Sequence, residues 1–166
     1  MNKNIKILIV DDRPENLHFL SNILCSRGYK VQRAVTGKLA INAAFAFPPD
    51  LILLDVVMPD MDGYKVCEHL KANQMTRDIP IIFLSVIDDV SEKVKAFNLG
   101  AFDYITKPLQ AEEVLARVEN QLTIQKLQTK LKKQNRKLKN VASELNIRNQ
   151  QQQSRERYLS ALVEIQ

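Results

Sequence analysis

The chain has 166 residues, 45% of them hydrophobic and 26% charged, which suffices for one domain with its own core plus an appendage. Its net charge of +5 is unevenly placed: residues 1–110 hold 13 Lys/Arg against 13 Asp/Glu, and residues 111–166 hold 11 against 6, so the basic character belongs to the C-terminal part. No apolar run reaches the ~20 residues that a bilayer span needs, and Cys25 and Cys67 lack the spacing of a redox or metal pair, so a membrane-embedded protein and a disulfide scaffold are both excluded. The two cysteines are expected to be buried free thiols in a reducing, cytoplasmic setting. The opening MNKNIKILIVDD is basic and then apolar, but it stops at Val10 on two aspartates without a small-residue cleavage site, so it reads as a strand and not as a signal peptide.

KILIV (6–10) is rich in β-branched residues and is expected to be a buried strand. RPENLHFLSNILCSRG (13–28) places Leu17, Leu20 and Leu24 on one helical face, with Pro14 suited to the first turn and Gly28 to the stop. YKVQRA (29–34) is a second, more polar strand, and TGKLAINAAFAF (36–47) a helix halted by Pro48-Pro49. LILLD (51–55) is a third strand and DGYKVCEHLKAN (62–73) a third helix; PIIFLS (80–85) is a fourth strand and DDVSEKVKAFNLG (88–100) a fourth helix. FDYIT (102–106) is a fifth strand, and everything from Leu109 on reads as helix. Alternating strands and helices call for an α/β fold with a parallel sheet covered on both faces. The fully apolar strands belong at its centre, and Tyr29–Ala34 at an edge.

In such sheets a site forms at the carboxyl ends of the strands. Those ends carry Asp11-Asp12, Asp55, Ser85 and Thr106-Lys107-Pro108. Three carboxylates in one crevice repel each other and raise their pKa values unless a cation joins them. All-oxygen ligands suit a hard divalent ion, and a partly hydrated site suits magnesium. Asp11 and Asp12 can hold it directly or through water, Asp55 can give it one oxygen, and the backbone carbonyl of Val57 can complete the set. Lys107 neutralises what remains. A carboxylate is also a competent nucleophile toward phosphorus, and Ser85 can donate to a phosphoryl oxygen. His18 and His69 fall on helices away from these ends and suit surface or packing roles.

The stretches ILIVDDRPEN, LILLDVVMPDMDG, IIFLSV and FDYITKP together resemble the receiver domain of a two-component response regulator, over about residues 4–122. The MPxMDG segment after the acceptor aspartate is the most specific part of the likeness. The resemblance implies a doubly wound, flavodoxin-like sheet of order 2-1-3-4-5. It implies phosphorylation of Asp55, magnesium held by Asp11, Asp12, Asp55 and the Val57 carbonyl, a phosphate-contacting Lys107, and Ser85 with Tyr104 as a switch pair. Tyr104 is expected to turn from exposed to buried when phosphoryl charge draws in Ser85. The donor would be a histidine kinase or phosphotransfer protein, and the domain would be a phosphoacceptor with at most self-catalysed transfer and dephosphorylation, not an enzyme. Many relatives carry a polar side chain where Val57 stands, so slow self-dephosphorylation is expected.

Beyond the domain, Ile124, Leu131, Leu138, Leu145 and Leu159 recur on a seven-residue spacing with Gln152 in the gap, and Leu127, Gln134, Val141, Arg148, Arg155 and Leu162 follow three residues later. This is a heptad seam. Residues 123–166 are therefore expected to form a coiled-coil helix continuous with the last helix of a domain spanning 1–122, pairing two copies in parallel through residues 124–162. A single chain folding its seam onto its own domain is the alternative. The seam's abrupt end is what a shortened chain, or one that has lost an output module, would show. Lys126, Lys130, Lys132, Lys133, Arg136, Lys137 and Lys139 form a basic block, which reads as a solvated face. A DNA-binding regulator using that block is the competing function, but the tail has neither a helix-turn-helix break nor a basic region clear of the seam, so no nucleic acid is expected. An aspartyl-phosphate phosphatase would want an acid where Arg13 stands, and a flavin site a less acidic loop than DDRPEN.

Overall fold

The computed structural model describes residues 4–165. Strand β1 (Lys6–Val10), helix α1 (Pro14–Ser26), β2 (Lys30–Ala34), α2 (Gly37–Ala46), β3 (Leu51–Asp55), α3 (Gly63–Ala72), β4 (Ile81–Ser85), α4 (Val90–Asn98), β5 (Asp103–Thr106) and α5 (Ala111–Glu164) follow one another along the chain. The five strands pair in parallel in the order β2-β1-β3-β4-β5, the doubly wound arrangement that the sequence implies. Strand order reverses between β1 and β3, where ligands collect in open sheets of this kind.

The near-continuous apolar strands follow from burial on both sheet faces. Leu8, Val10, Ile52, Leu54, Ile81 and Phe83 pack on one face against Ala40 and Ala44 of α2, Val66 and Leu70 of α3, and Ala96 of α4. Ile7, Ile9, Leu51, Leu53, Ile82 and Leu84 point to the other, against Leu17, Leu20 and Leu24 of α1 and Val114 and Val118 of α5. Each large side chain removed from water in this way contributes roughly 1.5–3 kcal/mol. β2 is the polar edge strand, with only Ala34 of its five residues buried.

Local chemistry sets the element ends. Pro14 opens α1, Thr36 accepts from Leu39 N–H at 3.1 Å to cap α2, and Asp62 accepts from Lys65 N–H at 2.8 Å to cap α3. Gly28 and Gly100 end α1 and α4 with φ of +85° and +92°, which other residues adopt only with strain. β1 and β3 fall at the expected bounds, and the other expected boundaries shift inward by at most two residues because the flanking residues form the caps and turns. One expectation about the cysteines is overturned: Cys67 is buried, but Cys25 is exposed, because α1 turns it away from the leucine face that meets the sheet.

The chain divides into two compact units, the first ending at Thr123 and the second beginning at Ile124. In the first, α5 buries Val114, Val118 and Gln121. In the second, the helix is continuous to Glu164 and its seam side chains are exposed, from Ile124 at 38% to Leu138 at 67%.

Candidate functional site

Four strand tips deliver the site. β1 ends one residue before Asp11, β3 ends at Asp55, β4 at Ser85, and β5 one residue before Lys107. The pairing register puts Asp55 beside Leu84 and Ser85 beside Thr106, so these tips lie side by side. Asp11 and Asp55 are buried, at 0% and 4% exposure, and Asp12 is half-buried. Carboxylate oxygens of Asp11, Asp12 and Asp55 lie within 4.8 Å of one another.

Lys107 is the cation among them. Its Nζ lies 3.0 Å from Asp11 Oδ2 and 3.1 Å from Asp55 Oδ1. Its backbone N–H donates to the Ser85 carbonyl at 2.7 Å, which fixes the start of the side chain, and the Lys107–Pro108 peptide bond is cis. One ammonium cannot balance three acids. Burial, and then the negative charge of Asp11, push the Asp55 carboxyl up from 3.8 to about 6, even though Lys107 and the Val57 N–H pull it down. The excess negative charge and the all-oxygen donor set fit a hard divalent cation such as magnesium. Val57 donates its N–H to Asp55 Oδ1 at 3.4 Å, and its side chain is 58% exposed beside the acid.

The remaining acids of the MPDMDG segment do not face the site. Asp60 accepts from the backbone N–H groups of Gly37 and Lys38 at 3.2 and 3.3 Å, tying the loop to the start of α2, and Asp62 caps α3. Gly63 is required by close approach, because a Cβ there would lie 2.2 Å from the Asp55 carbonyl oxygen. The segment therefore serves to seat the end of β3 rather than to supply ligands.

Ser85 and Tyr104 meet at a residue that the sequence reading did not single out. Ser85 Oγ accepts from Ile87 N–H at 3.1 Å, and the Tyr104 hydroxyl donates to the Ile87 carbonyl at 2.7 Å. Tyr104 is 4% exposed, so its ring is buried in this structure. Asn16 is a second addition, donating through Nδ2 to Asp11 Oδ2 at 2.9 Å. Its sequence signal is faint: a polar residue in the first turn after the acidic pair. His18 is exposed and, among the described residues, meets Asn22 at 3.2 Å, consistent with a surface role.

Comparison with known proteins follows the same lines. The family model for the response regulator receiver domain matches residues 7–119. The chain is 42% identical over 113 residues to the DNA-binding dual master transcriptional regulator RpaA of Synechocystis, covering 68% of this chain and 47% of that protein. It is 38% identical over 115 residues to the response regulator PleD of Caulobacter vibrioides, covering 69% of this chain and 25% of that protein. Among solved structures, a CheY-like receiver domain protein from Methanospirillum hungatei superimposes with a TM-score of 0.69 at 29% identity, over 75% of this chain and 98% of that one. The chain spans less than half the length of these two curated relatives, and the family match over residues 7–119 includes Asp11, Asp12, Asp55, Ser85 and Lys107. In fold, in the convergence of its strand tips and in sequence, this chain belongs to the response regulator receiver domain family.

Proposed function

We propose that the protein accepts a phosphoryl group on Asp55 with the help of Mg2+ and passes the resulting change of state through a dimeric helix to a partner or output module. The observation that carries this reading is the placement of Asp55: a buried carboxylate, its pKa raised to about 6, 3.1 Å from the Lys107 ammonium and clustered with two further acids. Asp11, Asp12, one oxygen of Asp55 and the Val57 carbonyl would hold the ion. Bound there, magnesium supplies positive charge for the oxygens of the transferring group.

In the transfer, an Asp55 oxygen forms a P–O bond while the P–N bond of a donor phosphohistidine breaks, its electron pair returning to the imidazole. Lys107 balances charge on the incoming oxygens, and Ser85 donates a hydrogen bond to one of them. That pull changes the Ser85–Ile87 contact, and through Ile87 the anchor of the Tyr104 hydroxyl. A preexisting balance of ring positions is thereby shifted. The donor is a histidine kinase or phosphotransfer protein, and the setting is the cytoplasm. The domain is a phosphoacceptor and not a turnover enzyme.

Transmission falls to residues 123–166, appended to a receiver of residues 1–122. Seam residues 124–162 are exposed along a helix that alone would gain little stability, which supports a parallel two-stranded coil. Sedimentation of the protein with Mg2+ and beryllium fluoride, beside Asp55→Asn, tests both parts. The expected result is a dimer whose stability responds to beryllium fluoride only when Asp55 is present. A monomer in every condition removes the coil, and an equal response from Asp55→Asn removes the acceptor.

A further inference from the structure

Among the described residues, helix α4 buries only Ala96, while Val90, Val94 and Phe97 are exposed. Apolar packing therefore does little to fix its first turns, and contacts to two tyrosines take that role. The Tyr64 hydroxyl donates to Glu92 Oε2 at 2.6 Å, and the Lys95 ammonium lies 4.4 Å from the centroid of the same ring. Three residues apart, Glu92 and Lys95 share one helix face. The intervening Lys93 reaches the other tyrosine: its ammonium lies 5.8 Å from the centroid of the Tyr104 ring, within the range of a cation–π contact. The Tyr104 hydroxyl donates to the Ile87 carbonyl, just ahead of α4.

The two tyrosines differ in what holds them. Tyr64 is a fixed post. Gly63 before it donates its N–H to the Val56 carbonyl at 2.8 Å and packs against the Asp55 carbonyl too closely for a side chain. The Tyr64 ring meets Phe83 of β4 edge-on, with centroids 5.2 Å apart and planes at 71°. Tyr104 is held at its hydroxyl by Ile87, whose N–H donates to Ser85 Oγ. That last contact is the one phosphorylation is proposed to change. α4 thus lies between a post seated against the acceptor strand and a ring that turns. Both hydroxyl bonds are made together in this structure, with Tyr104 buried. If the Tyr104 ring leaves, Ile87 loses its donor and Lys93 its ring, and little apolar contact remains to keep Glu92 on Tyr64. A bond made in one arrangement and lost in the other shifts the balance toward the first.

We propose that Tyr64 is a positioning residue of the switch: its bond to Glu92 is a latch that holds α4 where Tyr104 stays buried, and so favours capture of a phosphoryl group on Asp55. The inference rests on the reading of Asp55 as phosphoacceptor, with phosphorylation favouring the buried ring. Tyr64 touches neither the metal nor the phosphoryl group; its effect runs through α4 and Tyr104. The apparent affinity for a phosphoryl mimic then falls with the fraction of protein that holds Tyr104 buried.

The test uses the full chain as wild type, Tyr64→Phe, Glu92→Ala, Glu92→Gln and the Tyr64→Phe/Glu92→Ala double variant. Tyr64→Phe keeps the ring on Phe83 and removes only the hydroxyl. Beryllium fluoride affinity at saturating Mg2+ is measured by calorimetry, and the Tyr104 ring is followed by NMR of ring-labelled tyrosine, its signal assigned with Tyr104→Phe. A hydrogen bond to a carboxylate sets the upper scale, and Glu92 is only half-buried, so Tyr64→Phe and Glu92→Ala are each expected to weaken beryllium fluoride binding about fivefold. Both remove the same bond, so the double variant should also lose about fivefold and not the product. Glu92→Gln keeps an acceptor and should recover part of the loss. Without beryllium fluoride, the Tyr104 signal should move toward that of an exposed ring in Tyr64→Phe and Glu92→Ala alike. Should Tyr64→Phe not fold, Glu92→Ala against Glu92→Gln carries the comparison. Wild-type or tighter affinity in the single variants overturns the proposal, and so do losses that multiply in the double variant. A fivefold loss with an unmoved Tyr104 signal overturns it too, since Tyr64 would then be a general prop of the fold. If the wild type itself fails to bind beryllium fluoride with Mg2+, the phosphoacceptor reading falls by itself, and the Tyr104 signal in the variants still decides whether the latch exists.

Discussion

The raised pKa of Asp55 makes the site a built-in cost to the fold, and that cost can be measured. In the unfolded chain the carboxyl ionises near its ordinary 3.8; in the folded chain it does so near about 6. Below the lower value both states hold the proton and Asp55 contributes nothing. As pH rises between the two values, the unfolded state releases its proton while the folded state keeps it, so stability falls. Above the upper value the loss is complete. At 1.36 kcal/mol per pKa unit, a rise of about 2 units corresponds to roughly 3 kcal/mol. Asp55→Asn carries no such proton. The assay is urea unfolding of the wild type and Asp55→Asn without divalent metal at a series of pH values. The wild type should lose roughly 3 kcal/mol relative to the variant between about pH 3.5 and 7, whatever fixed offset separates the two proteins. Magnesium at about 100 times its dissociation constant should return about 2.7 kcal/mol to the wild type at neutral pH, and less to a variant lacking the Asp55 oxygens. Stability curves that run parallel across this pH range would refute the argument, since they would mean that Asp55 titrates alike in both states.

Other consequences are local. Gly63→Ala forces a Cβ to within 2.2 Å of the Asp55 carbonyl; it should destabilise by about 3 kcal/mol or more in urea unfolding and abolish Mg2+ binding by displacing the end of β3. The Ser21 hydroxyl, 2% exposed on α1, has no hydrogen-bond partner among the described residues, so Ser21→Ala should stabilise by about 1 kcal/mol, read as a higher denaturation midpoint at unchanged slope. Val57 presents an exposed apolar side chain beside Asp55, so Val57→Asn should shorten the phosphoryl half-life; a half-life no shorter than the wild type's would contradict this.

The sheet was legible because its central strands are buried on both faces and so read as apolar runs, ILIV after Lys6 in β1 and LILL before Asp55 in β3. The acids were legible because a carboxylate at the end of such a run has few tolerable environments other than a charged crevice. Side-chain contacts were less so. The Asn16–Asp11 bond and the meeting of Ser85 with Tyr104 at Ile87 depend on loop geometry that no periodicity encodes. Cys25 was misread because cysteine's general preference for burial says nothing about which side of α1 it occupies; the leucines at 17, 20 and 24 do, and they put it outside. The heptad seam marks the helix of the second unit.

The central claim is that Asp55 is the residue that captures phosphorus. Intact-mass measurement after incubation with acetyl phosphate, with and without Mg2+, tests it on the wild type and Asp55→Asn side by side. A single phosphoryl adduct on the wild type, dependent on Mg2+ and absent from the variant, is the predicted result; equal labelling of the two proteins would contradict it.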